Sequence, residues 1–297
     1  MKILVLGSNG QLGFELMRAA WAADTAVAGL PYPEFDVTRP GDVDKAIAAH
    51  GPDLVVNATA HTAVDKAESE ADLAFAINRD GPAAMAAACA GRGIPLIHVS
   101  TDYVFDGTKP TPYVEDDPVA PLGVYGASKA AGEDAVRMGT SRHVILRTSW
   151  VYSAYGNNFV KTMLRFGQER DEMRVVADQT GGPTAASDLA AAIVHVANRI
   201  AAGGGDALWG TYHLTGTGVT TWHGFAERIF QRLEERIGKR PRLVAIETKD
   251  YPTPARRPAN SRLDCTKARD RLGVVAPPWE SSLDRVLDEL FTNPPQA

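Results

Sequence analysis

The chain has little of what marks secreted, membrane-spanning or nucleic-acid-binding proteins. Of its 297 residues only Cys89 and Cys265 are cysteines, too few and too far apart for a disulfide framework or a zinc site. No apolar run approaches the roughly 20 residues of a membrane span, and the N-terminus lacks a signal-peptide pattern. A net charge of -5 gives no electrostatic reason to bind nucleic acid or an acidic membrane. We therefore expect a cytoplasmic protein without membrane or nucleic-acid partners.

Short apolar runs alternate with Ala-rich helical stretches up to about Thr148. The runs read KILVLG, TAVAGL, DLVVNA, IPLIHVS and HVILRTS. Strands that are apolar on both faces and separated by helices are typical of a parallel sheet covered on both sides. The sequence therefore predicts an α/β fold with a Rossmann-type doubly wound parallel sheet.

Beyond Trp150 the sequence changes to longer loops that contain aromatic residues, such as VYSAYGNNF. A hydrophobic content of 44% in 297 residues is enough for two closely joined domains. We expect the Rossmann domain over residues 1–150, with a return of the chain to it around 177–205. A smaller α/β domain would be formed mainly by residues 151–297.

A glycine-rich turn directly follows the first apolar run. GSNGQLG places Gly7, Gly10 and Gly13 three residues apart and opens onto an amphipathic helix. Glycines let the backbone turn sharply and approach a pyrophosphate, whose charge is met by backbone N–H groups and the positive end of the helix. The position between a strand and a helix favours a dinucleotide site over an ordinary glycine-rich turn.

Polar residues follow the apolar runs where the strands should end, the edge at which open α/β sheets bind ligands. STDYVFDG places Thr101, Asp102 and Tyr103 there, ahead of the helical segment VYGASKAAGE. Tyr125 and Lys129 lie four residues apart in that segment, so they share one helix face. Each residue alone fits a turn, a cap or a solvated face. Together with the glycine loop they predict one active site.

These motifs resemble the extended short-chain dehydrogenase/reductases, and more narrowly the dTDP-4-dehydrorhamnose reductases of L-rhamnose biosynthesis. The resemblance covers nearly the whole chain, and its most specific motifs are STDYVFDG and RTSWVY. It implies a catalytic triad of Thr101, Tyr125 and Lys129. The residues that it places at the sugar are Thr101, Asp102, Tyr103 and Trp150.

The resemblance also implies a nicotinamide cofactor, NADPH or NADH. The residues that it assigns to the cofactor are Gly7, Gly10, Gln11, Leu12, Gly13, Asp36, Val37, Ala60, His61, Thr62, Tyr125 and Lys129. His61 follows an apolar run and has no partner in sequence that would make it an acid or base. We therefore expect a cofactor-lining or structural role for it.

The implied reaction is NAD(P)H-dependent reduction of the C4 ketone of dTDP-4-dehydro-β-L-rhamnose to dTDP-β-L-rhamnose. Tyr125 would give the proton, and the Thr101 hydroxyl would hydrogen-bond the ketone oxygen. A free tyrosine has a pKa of about 10, so we expect the neighbouring ammonium of Lys129 to lower the pKa of the phenol. Trp150 would offer the deoxysugar a flat apolar wall.

The turn after the second apolar run has no charged residue that would distinguish NADH from NADPH. NAD sites usually place a carboxylate there, and NADP sites an arginine. Here Gly29, Leu30 and Pro31 occupy the turn, and no charged residue comes before Glu34. The sequence therefore predicts weak discrimination between the two cofactors.

Some members of the family bind a metal through glutamates at a dimer contact. Glu15 and Glu289 are in matching places here, but Ser187 stands where a third glutamate is expected. Mg²⁺ is therefore doubtful, no metal ligand is assigned, and both a monomer and a homodimer stay open.

Two other functions also stay open. One is a reductase or epimerase of another nucleotide sugar, because a fold does not define a substrate. The other is a non-catalytic nucleotide-binding regulatory subunit. Such proteins commonly lose the Tyr and Lys pair, so the presence of Tyr125 and Lys129 favours an enzyme.

Overall fold

The computed structural model describes residues 1–292. The strands, in chain order, are β1 (Lys2–Leu6), β2 (Ala26–Leu30), β3 (Leu54–Asn57), β4 (Leu96–Thr101), β5 (His143–Thr148), β6 (Val151–Tyr152), β7 (Glu172–Val176), β8 (Thr180–Gly181), β9 (Thr184–Ala185), β10 (Gly210–His213), β11 (Thr220–Thr221), β12 (Arg242–Ile246) and β13 (Asn260–Ser261). The α-helices are α1 (Gln11–Arg18), α2 (Asp42–His50), α3 (Val64–Ala67), α4 (Ala71–Phe75), α5 (Gly81–Ala90), α6 (Val124–Gly139), α7 (Phe159–Glu169), α8 (Ala186–Ala201), α9 (Trp222–Ile237) and α10 (Trp279–Thr292). Among these described helices, none has the length and apolar character needed to cross a bilayer.

The central sheet has six strands in the order β2-β1-β3-β4-β5-β10. Every neighbouring pair in it is parallel. From β1 the chain moves to β2 on one side of the sheet. It then crosses back over β1 to β3 and continues on the other side to β4, β5 and β10, so the direction of winding reverses between β1 and β3. The segments that follow β1 and β3 therefore border the crevice in which such sheets bind ligands.

Helices cover both faces of this sheet because its strands are apolar on both sides. In β1, Ile3 and Val5 pack with Leu16 of α1 and Ile193 of α8. Leu4 and Leu6, the alternate residues, pack instead in a cluster with α2 and α5. Side chains alternate between the faces of a strand, so a continuous apolar run buries both. The predicted doubly wound α/β fold is confirmed.

A further apolar cluster joins α7, α9 and α10 and is built around Phe225, Phe230 and Leu283. Small sheets lie in this part of the chain: β7 pairs with β12, β6 with β9, and β8 with β11 and β13. The chain also returns to the central sheet, since α8 packs against α1 and β10 pairs with β5. The division into domains at residue 150 stays a prediction.

Candidate active site

The glycine loop lies between β1 and α1 and is held against the end of β2. The backbone N–H groups of Gly7 and Ser8 donate to the Leu30 carbonyl at 2.9 and 3.2 Å. Gly7 has a φ of 84°, a conformation that favours glycine. A β-carbon at Gly13 would overlap the carbonyl oxygen of Gly7, so the third glycine lets α1 lie against the loop.

The start of α1 leaves backbone donors available to an anion. The residue before the helix, Gly10, has no side chain to cap it, and unpaired N–H groups at a helix N-terminus attract phosphate. Leu12 is buried in the core below. The side chain of Gln11 accepts a hydrogen bond from Asn158 at 3.0 Å, which ties this end of the helix to the segment before α7.

Asp36 and Val37 lie in the loop after β2. The Asp36 carboxylate accepts hydrogen bonds from the hydroxyl and the backbone N–H of Thr38 at 2.7 and 3.0 Å, which lower its pKa. Val37 packs where a β-carbon of Gly81 would be and lines a surface cavity of about 560 Å³ with Arg39 and other residues. The structure thus places both residues beyond β2, where the resemblance puts the cofactor.

The loop after β3 contains Ala60, His61 and Thr62 and is tied to the helix α6. Asn78 accepts from the backbone N–H of His61 at 2.9 Å and donates to its carbonyl at 3.1 Å. The Asn78 amide also donates to the Ser128 hydroxyl, which donates to the Tyr125 carbonyl. One series of hydrogen bonds therefore joins the predicted cofactor loop to the predicted catalytic helix.

The side chain of His61 has a partner that the sequence did not reveal. Its Nε2 lies 3.0 Å from the Glu70 carboxylate, and its Nδ1 is buried without a hydrogen-bond partner. Ala60 is half-buried and Thr62 is exposed. His61 thus sits between a carboxylate and the protein interior, and its expected cofactor-lining role stays a prediction.

Helix α6 carries Tyr125 and Lys129 and can approach the strand ends because it is rich in small residues. A β-carbon at Gly126 would overlap the carbonyl oxygen of Tyr103, and one at Gly132 would overlap that of Asn78. The helix therefore packs directly on the backbone of both neighbouring segments. This close contact brings Tyr125 to Thr101 and Tyr103.

The Tyr125 phenol lies at the end of β4. Its ring meets the ring of Tyr103 edge to face at a centroid distance of 5.4 Å. Burial raises the pKa of Tyr125 to about 12, while the Thr101 side chain lowers it and the Asp102 carboxylate raises it. The net shift of this pKa is therefore upward where a lowering was expected, because burial outweighs the other effects. The contribution of Lys129 to it stays a prediction.

Lys129 is 2% exposed. Its ammonium donates to the Val99 carbonyl at 2.7 Å. Burial lowers its pKa to about 8, opposed by the Glu133 carboxylate. Lys129 is thus still mostly protonated at pH 7, at a cost that the surrounding fold must offset.

A buried ion pair lies one turn further along α6. Glu133 is fully buried and accepts from Nε and Nη2 of Arg147 at 2.8 and 2.7 Å and from the Ser100 hydroxyl at 2.6 Å. Burial alone would raise the pKa of Glu133, but Arg147 and Ser100 hold it below its ordinary value. This pair joins α6 to β4 and β5 and so fixes the helix that carries Tyr125 and Lys129.

Asp102 follows Thr101 at the end of β4 and is 2% exposed. One carboxylate oxygen accepts from the Thr101 hydroxyl at 3.0 Å, and the other is buried without a partner. Burial raises the pKa of Asp102 to about 6, although the nearby side chains of Ser261 and Thr101 lower it. Asp102 is thus a carboxyl group that titrates near neutral pH beside the predicted catalytic threonine.

Trp150 follows β5 and has a φ of 49°, which is unusual for a residue other than glycine. Its ring stacks on Trp222 at a centroid distance of 3.7 Å and packs against Gly181. It therefore forms half of a double aromatic wall and is only half-buried. Strained backbone of this kind is frequent at functional sites.

Comparison with known proteins identifies the family. Residues 1–292 match a family model described as RmlD substrate binding domain. The dTDP-4-dehydrorhamnose reductase of Sinorhizobium fredii is 47% identical over 97% of this chain and 97% of that protein. The protein of the same name from Escherichia coli K12 is 44% identical over 98% of this chain and 99% of its own length. The chain belongs to the dTDP-4-dehydrorhamnose reductase family.

Solved structures of the family agree with this assignment. The reductase of Clostridium acetobutylicum has a TM-score of 0.90 and 38% identity, over 98% of this chain and 99% of that one. The reductase of Bacillus anthracis, solved in complex with NADP, has a TM-score of 0.89 and 37% identity, over 97% of this chain and 99% of that one.

The residues that the family resemblance relates to a metal do not fit one in this chain. Arg18 donates to the Glu289 carboxylate at 2.5 Å, and its Nε lies 3.5 Å from the carboxylate of Glu15. Glu15 also accepts from Ser153 at 2.8 Å. A guanidinium thus already supplies positive charge between the two glutamates. Among residues 1–292 no cluster of three or more metal-binding side chains is found.

Several residues that support the site were not assigned from the sequence. Asn78 and Ser128 connect the loop after β3 to α6, and Asp65 pairs with Arg257 from the C-terminal half. Ser128 lies between Tyr125 and Lys129 in the same helix, so its position in the sequence could have indicated that it supports the site. The partners of Asn78 and Asp65 lie 50 and 192 residues away, and no local pattern could have indicated them.

Proposed function

We propose that this protein reduces the C4 ketone of dTDP-4-dehydro-β-L-rhamnose to give dTDP-β-L-rhamnose, the last step of dTDP-L-rhamnose biosynthesis. The observation that carries the proposal is the meeting of Thr101, Asp102 and Tyr125 at the end of β4, beside a glycine loop at the point where the winding reverses. Family membership supplies the substrate, since relatives that are 47% and 44% identical over nearly their whole length are named dTDP-4-dehydrorhamnose reductase.

The residues that border the crevice between β1 and β3 fit a dinucleotide. The glycine loop offers the backbone close approach, and the uncapped start of α1 offers N–H groups to a pyrophosphate. The further residues assigned to this role are Gln11, Leu12, Asp36, Val37, Ala60, His61, Thr62, Tyr125 and Lys129. A bound NADPH or NADH supplies the hydride.

Tyr125 acts as the proton donor in this proposal. A phenol with a pKa of about 12 is protonated at neutral pH, and it can give its proton to the alkoxide that forms when the ketone is reduced. The Thr101 hydroxyl, which donates to Asp102 in the free protein, turns to the same oxygen and stabilises it by a hydrogen bond. Lys129 holds the ribose of the cofactor, and its positive charge favours the phenolate that remains on Tyr125.

The sugar lies against Thr101, Asp102, Tyr103 and Trp150. Asp102 has an unpaired carboxylate oxygen, which a sugar hydroxyl can satisfy. The stacked pair of Trp150 and Trp222 provides a rigid apolar surface for the face of a deoxysugar. The polar and apolar sides of the site thus correspond to those of a deoxysugar.

The experiment gives the purified protein dTDP-4-dehydro-L-rhamnose and NADPH. Turnover is monitored by the loss of absorbance of the reduced cofactor. We expect oxidation of NADPH and much less of it with a UDP-linked ketosugar. The catalytically impaired control is Tyr125→Phe. Binding of NADPH without turnover would overturn the proposal and favour the regulatory reading.

A further inference from the structure

An irregular segment of the C-terminal half lies against two of the loops that border the predicted active site. We define residues 253–261 as the strap. One part of it is bonded to Asp65 in α3, which follows β3, and another part packs on the segment after β4. The strap therefore connects the carboxyl-end segments of two neighbouring strands of the central sheet.

Asp65 binds the strap through three hydrogen bonds. Its carboxylate accepts from the backbone N–H of Ala255 at 3.2 Å and from Nη1 and Nη2 of Arg257 at 3.1 and 2.9 Å. The same guanidinium donates to the Thr253 hydroxyl at 2.7 Å and to the Ala255 carbonyl at 3.3 Å. Arg257 thus both shapes the strap and attaches it, a bidentate role that a single lysine donor does not reproduce.

The other part of the strap is held by packing and backbone contacts. A β-carbon at Gly107 would lie 2.5 Å from Cβ of Pro258, so the strap packs directly on the glycine. Asn260 donates from its backbone to Gly107 at 3.2 Å and from its side chain to the carbonyls of Lys109 and Thr111 at 2.6 and 2.9 Å. Loss of the Asp65 contact would therefore free one part of the strap and leave the other in place.

The strap runs along the residues that we assign to the sugar. Ser261 at its end lies close enough to the Asp102 carboxyl group to lower the pKa of that group. Arg257 lies close enough to Tyr103 for its positive charge to favour the phenolate form of that residue. Both parts of the strap thus have a neighbour in the Thr101, Asp102 and Tyr103 segment, although none of its residues belongs to the predicted triad.

We propose that Asp65 and Arg257 are a positioning pair, which holds the strap in place as one wall of the nucleotide-sugar site. The inference rests on the proposed function. Without the pair, the wall moves and the sugar nucleotide binds less tightly. Tyr125, Lys129 and the glycine loop make no hydrogen bond to the pair, so the chemical step and cofactor binding are preserved.

The test compares Asp65→Asn, Arg257→Gln, Arg257→Lys and the Asn/Gln double variant with wild type. We expect KM for dTDP-4-dehydro-L-rhamnose to rise about tenfold in the first two, as expected for loss of a charged hydrogen bond. Turnover should stay within about threefold, and the Kd for NADPH within about twofold. The Arg257→Lys variant should lose less, and the double variant no more than Arg257→Gln, because both changes break one contact.

A matched control is Arg228→Gln. Arg228 pairs with Asp284 at 2.6 Å, and these side chains are 32% and 31% exposed, against 26% and 40% for Arg257 and Asp65. The Arg228–Asp284 pair joins α9 to α10 and makes no hydrogen bond to the strap, so its loss should leave KM unchanged. The inference would be overturned if turnover in the Asp65 and Arg257 variants fell as much as KM rises, or if these variants bound NADPH more weakly than wild type. Arg257→Lys keeps the charge and serves as the test if Arg257→Gln does not fold.

Calorimetric binding of the product, dTDP-β-L-rhamnose, separates this inference from the proposed function, because its sugar reaches the residues that the strap contacts. If wild type binds this nucleotide sugar but does not turn over the ketosugar, the proposed reaction is wrong, and weaker binding of the nucleotide sugar by Asp65→Asn still supports the positioning pair. If both variants bind it and the ketosugar like wild type, the positioning pair is wrong, whatever the reaction.

Discussion

Replacing Lys129 by methionine should abolish activity and yet make the stability of the protein less dependent on pH. The change removes an ammonium that is 2% exposed and whose pKa burial lowers from 10.5 to about 8. A pKa below its unfolded value means that the folded state holds the proton less tightly than the unfolded chain. Burial of the charge therefore destabilises the fold. The cost is full below about pH 8 and is lost as the pH rises toward 10.5.

The magnitude follows from the two pKa values. With about 1.36 kcal/mol for each pKa unit, the cost is about 3 kcal/mol at pH 7 and about 2 kcal/mol at pH 9. Wild type should thus gain about 1 kcal/mol relative to Lys129→Met between these pH values. The variant also loses the hydrogen bond to Val99, which costs about 1–3 kcal/mol at both pH values. At pH 7 the variant should therefore be about as stable as wild type, or up to about 2 kcal/mol more stable.

The assay is urea unfolding of both proteins at pH 7, 8 and 9, with turnover measured alongside. Lys45→Met, which removes an exposed ammonium from α2, is the control and should differ from wild type by the same amount at each pH. Parallel pH curves for wild type and Lys129→Met would refute the argument, since they would mean that Lys129 titrates alike in the folded and unfolded chain. Wild-type turnover in the variant would remove Lys129 from the triad.

Three further outcomes are expected. Tyr125→Phe should lower kcat by about 10² or more, as for loss of a general acid, while calorimetric NADPH binding stays nearly unchanged; turnover like wild type would sink the assignment. NADH and NADPH should support reduction with kcat/KM values within about tenfold of each other. A preference above about a hundredfold would indicate that a residue such as Arg39 distinguishes the two cofactors. EDTA should leave the rate unchanged because Arg18 lies between Glu15 and Glu289, whereas rate loss reversed by Mg²⁺ would contradict this reading.

The fold could be predicted because its signals are local. Five of the six strands of the central sheet are built on short apolar runs, and the third glycine of the loop is needed where α1 packs on Gly7. The sixth strand, β10, has four residues, which include Thr211 and His213. Such a short and partly polar run has no clear period. Its pairing with β5 defines it, and that partner lies more than 60 residues earlier in the chain.

The site could be predicted as a set of residues but not as an electrostatic environment. The spacing of Tyr125 and Lys129 predicts a shared helix face, but not how deeply α6 lies against the strand ends. That depth raises the pKa of Tyr125 where a lowering was expected. The stack of Trp150 on Trp222 and the bond between Asp65 and Arg257 join distant parts of the chain. Tertiary packing creates such contacts, and no local pattern records them.

The late arrival of β10 has a consequence for the synthesis of the protein. Until residues 210–213 leave the ribosome, β5 has an unpaired edge, and until α8 has emerged, Ile3, Val5 and their neighbours on that face lack much of their cover. An open strand edge and exposed apolar surface invite association with other chains. A nascent chain that ends near residue 150 should thus depend on chaperones, and the first half of the sequence completes its folding only after the second half has begun to appear.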